Sequence, residues 1–441
     1  MTAAVLALAL VRSAEAGPLP AAAGQASQQS AAATVQPLQQ PARPYRGLFG
    51  AGSAAAPGGH LLDLTTFIYA EYGTNADTEF TPGGEPVEGW FTGLRGRLSF
   101  EKAGRNARMA LRGEGALRYY PDSGQTSSPR LRTELAVDAR TGARFQNSVR
   151  FTGSFDYEPY YILSIFPTAV LPTGDVAVLP TDRDDLLFRR TRYIYSQSFS
   201  YEHQVTRRSY LSLFEDTRST KAETAALDVT NLRAGARYGY RMSQYSAFRL
   251  GYAYKTGRYG LDATQRIDAH DIDLSVDYRK PLTQSRRTSV GFAAGSSLVT
   301  AGPDEQWSVV ATANLRHEFS RGWYLQGDFM RNLQLVEGFA SPFFVNTASA
   351  STGGFLVRRL EVSASGGYSW GSVGFGSDSY TSLQGSARMR LALARYLAID
   401  AEGLINQFGF DNQVVVSGVV PASLNRWSVR ANIALWLPLS R

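Results

Sequence analysis

The feature that most narrows what this chain can fold into is a strict alternation over residues 231–256. Leu232, Ala234, Ala236, Tyr238 and Tyr240 take every second place, with Asn231, Arg233, Gly235, Arg237, Gly239 and Arg241 between them. After a short link, Phe248, Leu250, Tyr252 and Tyr254 alternate with Arg249, Gly251, Ala253 and Lys255. Side chains on a strand point to opposite faces with period two, so each arm has one apolar face and one polar face. The stretch is predicted to be a hairpin.

The same alternation recurs over residues 61–437 with no helical stretch between, and can be divided into eighteen strands, or sixteen if two boundaries merge. The connections alternate short and long. The short ones share a basic chemistry: Thr206-Arg207-Arg208, Ser285-Arg286-Arg287, Ser320-Arg321-Gly322, Val357-Arg358-Arg359 and Ala394-Arg395-Tyr396. They mark a period of about forty residues, the length of two long strands with a loop and a turn. A propeller blade would need about four short strands in that period, whereas here two long ones fill it. Strands of this length match a tilted bilayer crossing, and many Tyr, Trp and Phe residues fall near strand ends, as an interfacial girdle would place them. The expected fold is all-β, an antiparallel up-and-down transmembrane β-barrel. Short turns then face the periplasm, long loops face outward, and an even strand count leaves both termini periplasmic.

Composition adds exclusions. No run approaches the eighteen or so consecutive apolar residues of a spanning helix, so insertion in a membrane has to be through strands. There is no Cys among the 441 residues, which removes disulfide and thiolate chemistry. The net charge of +7 would suit nucleic acid, but the arginines are spread through strands and turns, and no stacking or groove motif accompanies them, so no nucleic-acid partner is expected. Ala3 to Val11 is a short apolar run before Ala14-Glu15-Ala16, read as a signal peptide over residues 1–16 that lacks its basic start. Residues 17–60, rich in Ala, Gln and Pro, read as a disordered linker, and residues 61–441 as the barrel.

The basic turns followed by alternating strands, as in residues 282–291 (LTQSRRTSVG), 205–213 (VTRRSYLSL) and 242–254 (MSQYSAFRLGYAY), resemble a family of porin-like bacterial outer-membrane β-barrel proteins, some members of which are associated with exopolysaccharide export systems. The resemblance covers roughly residues 131–437 and its motifs are structural. It implies a water-filled channel for polar solutes, or the barrel component of an envelope export system, located in the outer membrane. The implied partners are outer-membrane lipid and lipopolysaccharide, the barrel-assembly machinery and polysaccharide export proteins. Such chains usually end on an aromatic residue, whereas this one ends Leu437-Pro438-Leu439-Ser440-Arg441. Either Trp436 serves that role from further in, or the last residues form a tail.

No cofactor, metal site or catalytic residue is expected. His60, His203, His270 and His317 show no metal spacing, and there is no phosphate loop or nucleophile elbow. His270 beside Asp271, with Asp268, Asp273 and Asp277 on the same strand, is the one pattern a hydrolase would use. On a strand with Ile272, Leu274, Val276 and Tyr278 facing lipid, however, Asp271, Asp273 and Asp277 are lumen charges. The candidate pore lining is therefore Arg233, Arg237, Arg241, Arg249 and Lys255 on the eighth and ninth strands, with Asp271, Asp273, Asp277 and Arg279 on the tenth. These charges either sort polar solutes across the lumen or satisfy one another between neighbouring strands. The longest interruption, residues 159–187, carries many apolar residues, four prolines and Asp175, Asp182, Asp184 and Asp185. It is expected to fold inward as a compact constriction loop. A non-conducting structural or assembly scaffold of the outer membrane is the alternative reading to the channel, and an outer-membrane hydrolase the second alternative.

Overall fold

In a computed structural model the chain forms one antiparallel sheet closed on itself. The structure describes residues 59–74, 88–120, 125–126, 129–141, 147–159, 161–162, 186–188, 191–223, 228–243, 246–260, 266–278, 288–320, 323–336, 339, 341–357, 359–376, 378–411 and 423–440. The expected leader, and all of the linker but Gly59 and His60, lie outside them, as do Asp175, Asp182, Asp184, Asp185 and Arg279.

The strands that build the wall are β1 (His60–Thr74), β2 (Glu88–Ala103), β3 (Ala107–Tyr120), β4 (Arg130–Thr141), β5 (Asn147–Glu158), β6 (Arg192–Gln204), β7 (Ser209–Ala222), β8 (Val229–Arg241) and β9 (Ser246–Tyr259). They continue as β10 (Arg266–Tyr278), β11 (Thr288–Ala301), β12 (Asp304–Ser320), β13 (Trp323–Leu335), β14 (Pro342–Val357), β15 (Leu360–Val373), β16 (Ser379–Ala392), β17 (Leu397–Asp411) and β18 (Ser423–Ser440). The sheet has nineteen strands, one of them the two-residue piece Gln125–Thr126 beside β3, which leaves eighteen in the wall. Each pairs with its neighbours in sequence, and β1 pairs with β18 from Gly73↔Ser428 to Leu62↔Ser440, closing the ring. Closure leaves no free edge at the seam, which is what a sheet needs to stand in lipid.

The alternation predicted for β8 and β9 sorts the faces. Leu213, Tyr238, Leu250, Tyr252, Ile272 and Leu274 are exposed on the outside. Asp271, Gly251 and Ala253, on the opposite face of the same strands, are buried. The last strand shows the rule over its whole length, with Leu424, Arg426, Ser428, Arg430, Asn432, Ala434 and Trp436 buried and Trp427, Val429, Ile433, Leu435 and Leu437 exposed. Exposed apolar rows circle the barrel, and exposed aromatics gather at the end away from the termini. There Tyr72 contacts Trp90 and Trp427 at ring separations of 4.8 and 5.7 Å, and Phe155 contacts Tyr195 at 5.1 Å.

Three expectations are revised. The closing residues are not a tail: β18 runs to Ser440, and Pro438, which has no N–H for the ladder, is accommodated by a register shift opposite Leu62 and Asp63. On the same strand Trp436 faces inward. It is 3% exposed and packs inside with Phe67, Ala398 and Ala434, because it shares the inward parity of Ala434 and Arg430. The proline-bearing connection after β5 does contain a ladder at its root, where Tyr161 pairs with Phe188 and Ile162 with Leu186. Not every connection at the far end is long, either: β11 and β12 are joined by Gly302-Pro303 alone, Gly302 taking the positive φ of 59° that so tight a hairpin demands of its first residue.

Candidate functional site

The inward face carries charge around the circumference, and most of the described charges are set beside one of opposite sign. On the wall picked out from the sequence, Arg237 of β8, Gly251 of β9 and Asp273 of β10 stand at one level. A side chain at Gly251 would run into both charged groups, its Cβ lying 2.8 Å from Arg237 Cγ and from the Asp273 carboxyl carbon. Because that position is glycine, Arg237 Nε reaches over β9 to donate to Asp273 at 3.2 Å. Lys255 Nζ meets Asp271 at 2.6 Å, and Arg233 lies 3.8 Å from Asp216. Both Arg233 and Arg237 rest on the Phe214 ring, at 4.8 and 4.9 Å, which adds a cation–π contribution of about 0.5–1 kcal/mol or more each. Arg249 and Arg241 stand within electrostatic reach of Glu202 on β6, with Arg241 exposed at the rim. Asp277 lies on β10, its side chain outside the described residues.

The acidic row of β10 is therefore not across the lumen from the basic row of β8 and β9. The three strands are consecutive in one wall, so the described charges neutralise one another locally. His270 and Asp271 face opposite ways: His270 is exposed on the outer surface, its Nδ1 2.8 Å from the Tyr252 hydroxyl, and Asp271 points inward. This separates the one pair a hydrolase would have used. Among the described residues no group of His, Asp and Glu could hold a metal ion.

Two further charged sectors were missed in the sequence. Across β15 to β1, Asp400 accepts from Arg390 at 2.6 Å and Arg388 at 3.2 Å, and Arg430 of β18 binds Glu71 of β1 at 2.5 Å, a buried pair across the closing seam. Across β2 to β6, Arg97 binds Glu114 at 2.6 Å, Arg132 binds Asp156 at 3.3 Å, and Glu158 is held between Arg130 at 2.8 Å and Arg192 at 2.5 Å. The signal was present, since Arg426, Ser428, Arg430 and Asn432 alternate with Trp427, Val429, Ala431 and Ile433 as plainly as the residues of β8 do. Applying the parity rule to every strand would have found them.

The lumen also holds something no charge pattern announces. At the end away from the termini, Val229, Tyr259, Ile267, Ala269, Val299, Leu333 and Phe344 form a buried apolar cluster, with Ala301, Leu335 and Phe375 packed on it. Beside it Phe339 stacks edge-on to Phe343 at 4.8 Å, and Phe343 to Tyr380 at 5.1 Å. These residues come from β8 to β16, so the far mouth is narrowed from one side by apolar packing.

A closed eighteen-stranded sheet, apolar outside and charged within, defines an outer-membrane-type β-barrel of porin architecture. No family model and no curated protein matches the sequence. Among solved structures the chain is similar to Pseudomonas aeruginosa OccK2 (OpdF) in complex with glucuronate, at 10% identity and a TM-score of 0.45 over 88% of this chain and 100% of that one. It is similar to the outer membrane protein OpdK of the same organism, at 10% identity and a TM-score of 0.42 over 86% and 98%. Acinetobacter baumannii OccAB4 is similar at 7% identity and a TM-score of 0.42, again over 86% and 98%. The class rests on the chain's own strand pairing and on the two faces of its wall.

Proposed function

We propose that the protein is a channel of the bacterial outer membrane for small polar solutes, with both termini in the periplasm. The observation that carries this is the inward charged lining of a closed barrel, Arg237–Asp273, Lys255–Asp271 and Arg97–Glu114 among its pairs. A lumen lined this way offers hydrogen bonds of both signs to a solute and no wall of a single sign. It favours uncharged or zwitterionic solutes over a strongly selected ion. Sugar uptake is the test: liposomes carrying the protein swell in isotonic arabinose, and faster than protein-free liposomes. Swelling at the protein-free rate for every small sugar would exclude the channel. The family resemblance keeps the exit barrel of a polysaccharide export system within this reading, as a channel whose solute is a glycan.

A second reading, a non-conducting scaffold, is favoured by the dense packing along β13 to β1, where inward-facing Gln326, Ser382, Asp400 and Glu71 are at most 1% exposed. The two readings part at the swelling assay.

A further inference from the structure

One acid stands on the lipid-facing side of the wall. Glu215 of β7 shares the parity of Leu211 and Leu213, which are exposed on the outside, while Ser212 and Phe214 between them are buried on the inner face. It pairs with Phe199 of β6 and Ala234 of β8, both outward by the same rule. Its level lies between two tiers of exposed aromatics, Tyr193 and Tyr195 toward the far end and Tyr238 and Tyr240 toward the termini. Such tiers mark the two edges of the hydrocarbon, so the carboxylate falls where lipid tails would lie and where a charge is costly. The outward charges Lys221 and Asp268 of the same region stand near strand ends instead.

What surrounds Glu215 is polar and low. Its Oε1 accepts from Gln197 Nε2 at 3.3 Å and from Thr217 Oγ1 at 3.1 Å, both outward residues. Among the described residues no cation meets the carboxylate, and its Oε2 accepts no hydrogen bond. Gln197 uses one amide hydrogen on this contact and keeps the other. The molecule therefore presents a spare donor beside a spare acceptor, at nearly the same depth. Gly153 opposite Gln197 and Ala234 opposite Glu215 keep the wall low on both sides, which lets another wall approach closely. Around this set Tyr195, Phe199 and Leu213 are exposed, an apolar ring about a polar centre of the kind that excludes solvent from an interface.

We propose that the outer face of β5 to β8 pairs with the same face of a second copy of this chain, about a two-fold axis along the membrane normal that passes between β6 and β7. A bilayer holds both copies upright, and the two-fold sets β6 of one against β7 of the other. The Gln197 amide of each copy then donates to the open carboxylate oxygen of the other. The contact is isologous, because one patch supplies both the donor and the acceptor. A lipid tail offers neither at that depth. The pairing uses only the outer surface, so it is independent of the polar lining proposed above.

The chain has no cysteine, so single cysteines report the contact. Leu213→Cys, beside the axis, and Ile433→Cys, equally outward on β18, are each reconstituted in liposomes at a low protein-to-lipid ratio and treated with a short bis-maleimide. The pairing predicts a cross-linked dimer from Leu213→Cys and monomer from Ile433→Cys. Adding Glu215→Leu or Gln197→Leu removes both exchanged hydrogen bonds. Either should raise the protein-to-lipid ratio needed for half-maximal cross-linking about tenfold, the worth of two such bonds within a membrane. The two substitutions lie on different strands, and heat-modifiable gel mobility shows which variants fold, so a misfolded one leaves the other to decide. Glu215→Gln, which keeps donor and acceptor, should retain the dimer. Arabinose swelling by the same liposomes reads the channel separately and should be unchanged by the Leu substitutions. Cross-linking no greater at Leu213→Cys than at Ile433→Cys, or a dimer indifferent to Glu215→Leu and Gln197→Leu, would overturn the pairing, whatever the sugar result.

Discussion

The difference between Ala236 and Arg237 is the smallest unit of the account. Ala236 pairs with Leu213 and Tyr252, both exposed on the outer face. Arg at 236 should therefore cost about 2–4 kcal/mol if it sits near the bilayer midplane, read as a lowered urea midpoint for folding into liposomes. Arg237→Ala should leave insertion intact and cost about 1–3 kcal/mol, because Asp273 loses its ion partner; an Arg at 236 that is tolerated while Arg237→Ala blocks insertion would mean the faces are reversed. Gly251→Val should match Arg237→Ala in cost, since its side chain occupies the space over which Arg237 and Asp273 meet. At the seam, Glu71→Ala removes the carboxylate bound by Arg430 from a buried site, and about 3–5 kcal/mol should be lost. A loss under about 1 kcal/mol would place that pair in water. The inward or outward sense of these residues was legible from parity alone. Their pairing was not, because Arg237 and Asp273 are thirty-six positions apart and meet only through the register of three strands and one missing side chain.

At the scale of the element, all eighteen strands could be read from the sequence, because a period of two maintained for a dozen residues has no competing interpretation in a helix. What escaped were places where a strand departs from its own rule. β14 begins Pro342-Phe343-Phe344-Val345, all buried. A run without alternation reads as a frayed strand start in one dimension, but in three it marks a hairpin end covered on both faces. The end of β18 escaped for another reason: Pro438 reads as a stop, whereas a register shift carries the strand on to Ser440. The extension of β18 has its own test. Ending the chain after Leu437 removes the pairings of Pro438 with Asp63 and Ser440 with Leu62, so the barrel should still close but lose its resistance to heated detergent at a lower temperature, seen as an earlier shift in gel mobility. An unchanged transition would show that the last residues add nothing to closure.

For the whole molecule, the fold followed from pattern while the state of the lumen did not. Strand number, closure and the two faces are one-dimensional properties repeated eighteen times. Whether water fills the middle depends on contacts between strands far apart in the wall, such as Leu335 on Gly257, and on residues 163–185, which lie outside the described ones. The charged sectors and the apolar cluster divide the interior, so the conducting path should run along β1 to β7 and bypass the cluster that narrows the far mouth from β8 to β16. Locally paired charges should leave that path with little preference between potassium and chloride. The most direct measurement is current through the purified protein in a planar bilayer bathed in unequal potassium chloride. The account predicts discrete conductance steps with a reversal potential near zero. Bilayers that stay silent although the protein is shown to be inserted would contradict it.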